Sequence, residues 1–134
     1  MTQARPTAEE LLDAVRTFLH DEVLPGLEGR VRFHTRVAVN VLDTVGRELH
    51  DGPTASRAER SRLLTLLHSS DPAAIEELGE SDVDTLSRQL AAQIRDGAVT
   101  IDDPDLLAHL VETARADVAI ANPKHLDEPA VGDQ

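Results

Sequence analysis

The stretch GRVRFHTRVAVNVL, residues 29–42, decides the fold. Its apolar residues recur at helical spacing, and the pattern continued to about His50 predicts one long helix. At about 100° per residue, Leu27, Val31, His34, Ala38, Val41, Leu42, Val45 and Leu49 fall on one face, which Phe33 and Val37 widen. An apolar arc of that width predicts a central helix buried among several neighbours. His34 lies inside the arc. It reads as a neutral core histidine with a pKa depressed by desolvation, or as the wall of an inter-helix pocket shared with Asn40. Arg32, Arg36, Asn40, Asp43 and Arg47 form a polar stripe on the opposite side. That stripe is either a solvated face of weak ion pairs or a docking patch. Arginine forks suit a partner's carboxylates or a ligand's phosphate. Val39, outside the arc and beside Arg32, Arg36 and Arg47, would add apolar contact there.

Outward from this helix the pattern stays helical. Thr7 and Glu10 have the spacing of a capping box for a first helix that Leu24–Pro25–Gly26 stops. Asp51–Gly52–Pro53 predicts the end of the second helix, and Ser56 with Glu59 the start of a shorter third that buries Leu63, Leu64 and Leu67. SSDPAAIEELGE, residues 69–80, reads as a loop with one helical turn after Pro72. Ser81 would cap a fourth helix carrying Val83, Leu86, Leu90 and Ile94, with Gly97 as its stop. Val99, Thr100 and Ile101 form an extended linker. Asp103 caps the last helix and Pro104 opens it, with Leu107, Leu110, Val111, Ala114 and Val118 turned inward. The expectation is an all-α protein, a compact antiparallel helical bundle of four main helices plus one shorter helix. Residues 1–123 read as a single domain and 124–134 as a disordered C-terminal tail.

Composition excludes several functions. The chain has 134 residues, a net charge of −12 and no cysteine. Disulfides and thiolate chemistry are therefore ruled out. So acidic a chain is a poor binder of nucleic acid and of anionic membranes. Two Phe and no Tyr or Trp leave little for stacking on bases or flat cofactors. With neither a signal-peptide core nor an apolar run of about 20 residues, a cytoplasmic protein is expected. Asp105, His109 and Glu112 share a helix face and have the chemistry of metal ligands. They lack the paired Glu-x-x-His motif of carboxylate-bridged bundles and read as a solvated face. No metal, cofactor or catalytic residue is expected.

Three stretches carry a resemblance: RPTAEELLDAVRTFL (5–19), EVLPGLEGRVRFHTRVAVNVLDTVGREL (22–49) and IDDPDLLAHLVETARADVAIANP (101–123). In them the chain resembles a bacterial domain-of-unknown-function family of short helical proteins. Asp117 departs from that pattern, which has a basic residue there. Such proteins are typically encoded beside kinase-like phosphotransferases of the aminoglycoside-kinase type and beside acyl-CoA dehydrogenase-like enzymes. The resemblance implies a non-catalytic accessory or interaction protein, a partner of a kinase-like phosphotransferase in hydroxyacyl-CoA or fatty-acid catabolism. An acyl-CoA dehydrogenase-like protein is a further partner it implies. The alternative is a small enzyme or ligand-binding bundle with its pocket around His34. Self-association stays open.

Overall fold

The computed structural model describes residues 4–70, 73 and 78–127. It contains α1 (Ala8–Phe18), α2 (Gly29–Ser70), α3 (Val83–Arg95), α4 (Pro104–Ala121) and a single turn, α5 (Lys124–Asp127). No strand occurs among the described residues, so the protein is all-α. Among the described residues there are four main helices and one short one, but not the five expected. The chain divides into two compact units, residues 1–53 and 54–134, where the sequence reads as one domain.

The first unit is a helical hairpin. Thr7 caps α1, its hydroxyl accepting the Glu10 N–H at 3.2 Å. The return half of the capping box is not made, because Arg5 holds the Glu10 carboxylate at 2.6 Å. After α1 the backbone widens into a π turn over Leu19–Val23 and tightens into a 3-10 turn at Leu24–Gly26. Proline at the second position of that turn has no N–H to continue the helix. Gly29, at φ 63°, opens α2 in a left-handed conformation that a side chain would strain. Arg16 pairs with Asp43 at 2.7 Å and Glu9 with His50 at 3.4 Å. Residue numbers rise on one helix as they fall on the other, so α1 and α2 run antiparallel here.

The largest difference from the sequence reading is α2 itself. It runs 42 residues and carries Pro53 inside it. The expected stop at Asp51–Gly52–Pro53 and restart near Ser56 do not occur. Proline adopts a helical φ; what it loses is one bond to the carbonyl four residues back, at a cost of about 3 kcal/mol. Ala55, Arg57, Ala58, Glu59 and Arg60 beyond it are good helix formers. Leu63, Leu66 and Leu67 then bury themselves and hold the distal part. Tertiary burial offsets a local penalty that the local signal alone treats as decisive.

The second unit has the larger core. Leu63, Leu66 and Leu67 of α2 meet Leu86 and Leu90 of α3, Val99 of the linker and Leu106 of α4. Burying each such side chain contributes about 1.5–3 kcal/mol. Asp82, not Ser81, caps α3, accepting the Thr85 N–H at 2.8 Å. That bond holds the Asp82 carboxyl below the usual range. Gly97, at φ 80°, ends the α3 region as its sequence position predicts. Asp103 caps α4 through the Asp105 N–H at 2.9 Å, and Pro104 is the first helical residue.

The inward face of α4 is not the one expected. Leu106 and His109 are buried and Thr113, Ala116, Ile120 and, as expected, Val118 are half-buried, while Leu107, Leu110, Val111 and Ala114 are exposed. Apolar residues occupy both sides of this helix, so periodicity alone could not choose between them. The helical turn expected after Pro72 lies outside the described residues, as do residues 128–134. The described start of the tail, Lys124–Asp127, is helical rather than disordered.

Candidate functional site

The hairpin has two unlike grooves between its helices. One is lined by Glu9, Leu12, Asp13, Leu42, Asp43, Gly46, Arg47, His50 and Asp51. It is charged and crossed by ion pairs. Arg16 is held above its ordinary pKa by the hydrogen bond to Asp43 and by that carboxylate's charge. The other groove is lined by Leu19, Arg30, Val31, His34, Thr35 and Ala38, and is mainly apolar. At 100° per residue the exposed stripe of α1, Leu11, Val15 and Phe18, turns to this second side. So does the α2 stripe of Val31, Ala38, Val41, Val45 and Leu49. The large residues of the two stripes are each 39–59% exposed.

This arrangement corrects the reading of the central helix. The broad arc of α2 is not buried among neighbours. The hairpin contact falls instead on Val39, which is 3% exposed, with Arg32, Thr35, Leu42, Asp43 and Gly46 half-buried around it. The arc faces outward because, among the described residues, the first unit has only one other α-helix to pack against it. His34 is exposed, not a core histidine, and receives a hydrogen bond from Arg30 Nε at 3.3 Å. It borders the apolar groove, whereas Asn40 lies on the polar side of α2, so the structure does not join them in one pocket.

The polar stripe is partly structural. Arg32 donates to the carbonyls of Leu24 and Leu27 at 2.9 and 3.4 Å, fastening the turn between the helices. Arg47 donates to the Thr44 hydroxyl at 3.2 Å. Val39 is buried in the hairpin and offers no surface to a partner, contrary to expectation. Arg36 is exposed and its side chain makes no hydrogen bond or ion pair with a described residue. It alone keeps the character of a docking arginine.

A site whose α4 side the sequence reads as a solvated face lies in the second unit. Ser61, Arg62, Thr65 and Leu66 of α2 and Asp105, Ala108, His109 and Glu112 of α4 line a groove of about 270 Å³. His109, read as part of a solvated face, is 4% exposed. Its Nδ1 accepts from Arg62 Nε at 3.2 Å, and Arg62 also donates to the Thr113 hydroxyl at 3.2 Å. Burial and then the Arg62 charge hold the imidazole below its ordinary pKa. With Nδ1 engaged, the neutral ring carries its proton on Nε2. The arginine thus occupies the lone pair that a general base would use. No group of three or more His, Asp or Glu among the described residues is arranged to hold a metal ion. The sequence signals for this site were the shared face of Asp105, His109 and Glu112, which all line it, and His109 at the period of Leu106 and Thr113.

Glu59 lies in the same region. Burial, then the neighbouring Asp117 carboxylate, raises its pKa, while Arg62 works against them. A basic residue at 117 would instead favour the Glu59 carboxylate.

The His109 shift predicts a pH dependence. The unfolded imidazole binds its proton near pH 6.5, the folded one only at lower pH. The contribution to stability is therefore complete above about pH 6.5 and is lost as pH falls through that value towards the folded pKa. Glu59 acts in the opposite sense, since its raised pKa favours the fold once it is protonated. The urea midpoint should fall between pH 7 and pH 5, and His109→Gln should flatten that fall. Parallel pH profiles for parent and variant would remove His109 as the cause.

No helix of the described residues is long and apolar enough to cross a membrane. Among curated proteins and among solved structures, none matches this chain. One family model does, over residues 25–125, from the turn before α2 through α4. That covers most of the chain, and the protein belongs to the family described as Domain of unknown function (DUF6285).

Proposed function

We propose that this protein is a non-catalytic interaction protein that works by binding a larger partner. One observation carries the reading. Among the described residues nine hydrophobic side chains are buried, whereas fifteen large ones are exposed. Exposed apolar surface in contiguous stripes marks a surface that another protein covers. The second unit offers such a stripe on α4, where Leu107, Leu110 and Val111 lie outward beside Ala114. The Arg62–His109 groove adds no competing chemistry, because its histidine is already occupied.

The resemblance to proteins encoded beside kinase-like phosphotransferases names the partner class, and hydroxyacyl-CoA or fatty-acid breakdown as the setting. In this reading the exposed α4 stripe is an apolar docking surface of the second unit, and exposed Arg36, considered by itself in the first, is a charge for a partner's carboxylates. The test is co-expression with the neighbouring kinase-like protein followed by size-exclusion chromatography. Leu110→Asp should abolish co-elution while leaving the circular dichroism spectrum unchanged, because Leu110 is outside the core. Arg36→Glu should weaken the complex mainly at low salt. Co-elution unaffected by either change would remove both surfaces. Turnover of a hydroxyacyl-CoA by this chain alone would overturn the non-catalytic reading.

A further inference from the structure

We propose that two copies of this chain pair through the apolar face of the α1–α2 hairpin, closing an intermolecular four-helix bundle. The hairpin lacks an interior of its own. Among its described residues only Leu24 and Val39 are buried hydrophobics. A unit of some 50 residues with so little core needs a further staple, and association is one of the few available. The seven large residues on the face expose several hundred Å² together. That approaches the ~800 Å² per partner that a stable interface covers.

A second copy is the occupant because the face is complementary to itself. A two-fold interface requires that when residue i meets residue j, j also meets i. The α2 stripe meets that condition about Ala38. Val31 and Val45 stand seven residues to either side, and Thr35 and Val41 three. Laid antiparallel on its copy, each valine of the first pair meets the other, and small Ala38 sits at the crossing point. Steps of three and four residues keep these positions on one face of the helix.

Charge agrees with the same pairing. Arg30 and Glu48 are 18 residues apart, which is a whole number of helical turns. They therefore stand along one border of the stripe, near its opposite ends. Neither makes an ion pair with a described residue. The antiparallel arrangement brings Arg30 of each copy close to Glu48 of the other, giving two cross-copy pairs at the rim.

This inference concerns the chain alone and does not rest on the kinase-like partner, so the two readings fail separately. Sedimentation equilibrium on the purified full chain should give a dimer at micromolar concentration. Ala38→Arg, on an exposed position, should leave a helical monomer. Arg30→Glu and Glu48→Arg should each weaken the dimer about tenfold, since like charges then face each other twice. Mixing the two variants should restore association, because every rim pair is again of opposite sign. A monomeric parent would overturn the proposal, as would a dimer that Ala38→Arg leaves intact. Equal weakness of the mixture and its components would exclude the antiparallel register.

Discussion

Replacing Leu67 with alanine lowers the stability of the second unit by about 2–5 kcal/mol. Leu67 is completely buried, with Leu63 and Leu86 equally enclosed beside it. Alanine removes the methyl groups that α3 and α4 pack around and leaves a cavity that three anchored helices cannot fully collapse. The cost is a large share of the stability of an ordinary domain, about 5–15 kcal/mol. Thermal melts followed by circular dichroism should show the loss directly. Val41→Asp is the instructive contrast. The α2 wheel marks Val41 as core, yet the side chain is 54% exposed. Its replacement should leave the melt of the single chain nearly unchanged. A Leu67→Ala protein that melts like its parent would mean that the central cluster is misassigned.

The second large effect has the opposite sign. Pro53→Ala should stabilise the protein by up to about 3 kcal/mol. Pro53 is exposed and lies inside α2. Alanine restores an N–H for the Leu49 carbonyl and relieves the crowding of the ring. If the chain instead turned at Asp51–Gly52–Pro53, as its local chemistry reads, the same change would remove a favourable turn residue and destabilise. The sign of the shift in urea midpoint therefore distinguishes a continuous helix from a helix–turn–helix. The preceding Gly52 adds a second check. A side chain there would meet the Glu48 carboxylate oxygen at 2.8 Å, the far end of a flexible group. Gly52→Ala should therefore be tolerated once Glu48 moves, as an interior helical position allows.

Much of the candidate surface was visible in sequence as pattern but not as placement. The α2 arc from Val31 to Leu49 was legible as one apolar face, and apart from Leu42, which turns to the hairpin contact, it is one. Whether that face is interior depends on how many helices surround it, which no periodicity counts. His34 followed its arc outward for that reason. Val39 went the other way, inward, because α1 packs on the side where the arc ends. The Arg62–His109 contact joins residues 47 positions apart. Each was readable alone, but the pair exists only once α4 is laid beside α2.

Sequence by itself determined the helical class, the caps at Thr7 and Asp103, the stop at Gly97 and the turn at Leu24–Gly26. Each of these depends on hydrogen bonds and backbone angles within a few residues, so the local chain contains the whole cause. Tertiary structure alone decided the length of α2, the inward side of α4 and the exposure of the hairpin face. Those outcomes compare a local cost or a two-sided pattern with burial against distant residues. The burial term, several kcal/mol for a cluster of leucines, is the larger one and is absent from any short window of the chain.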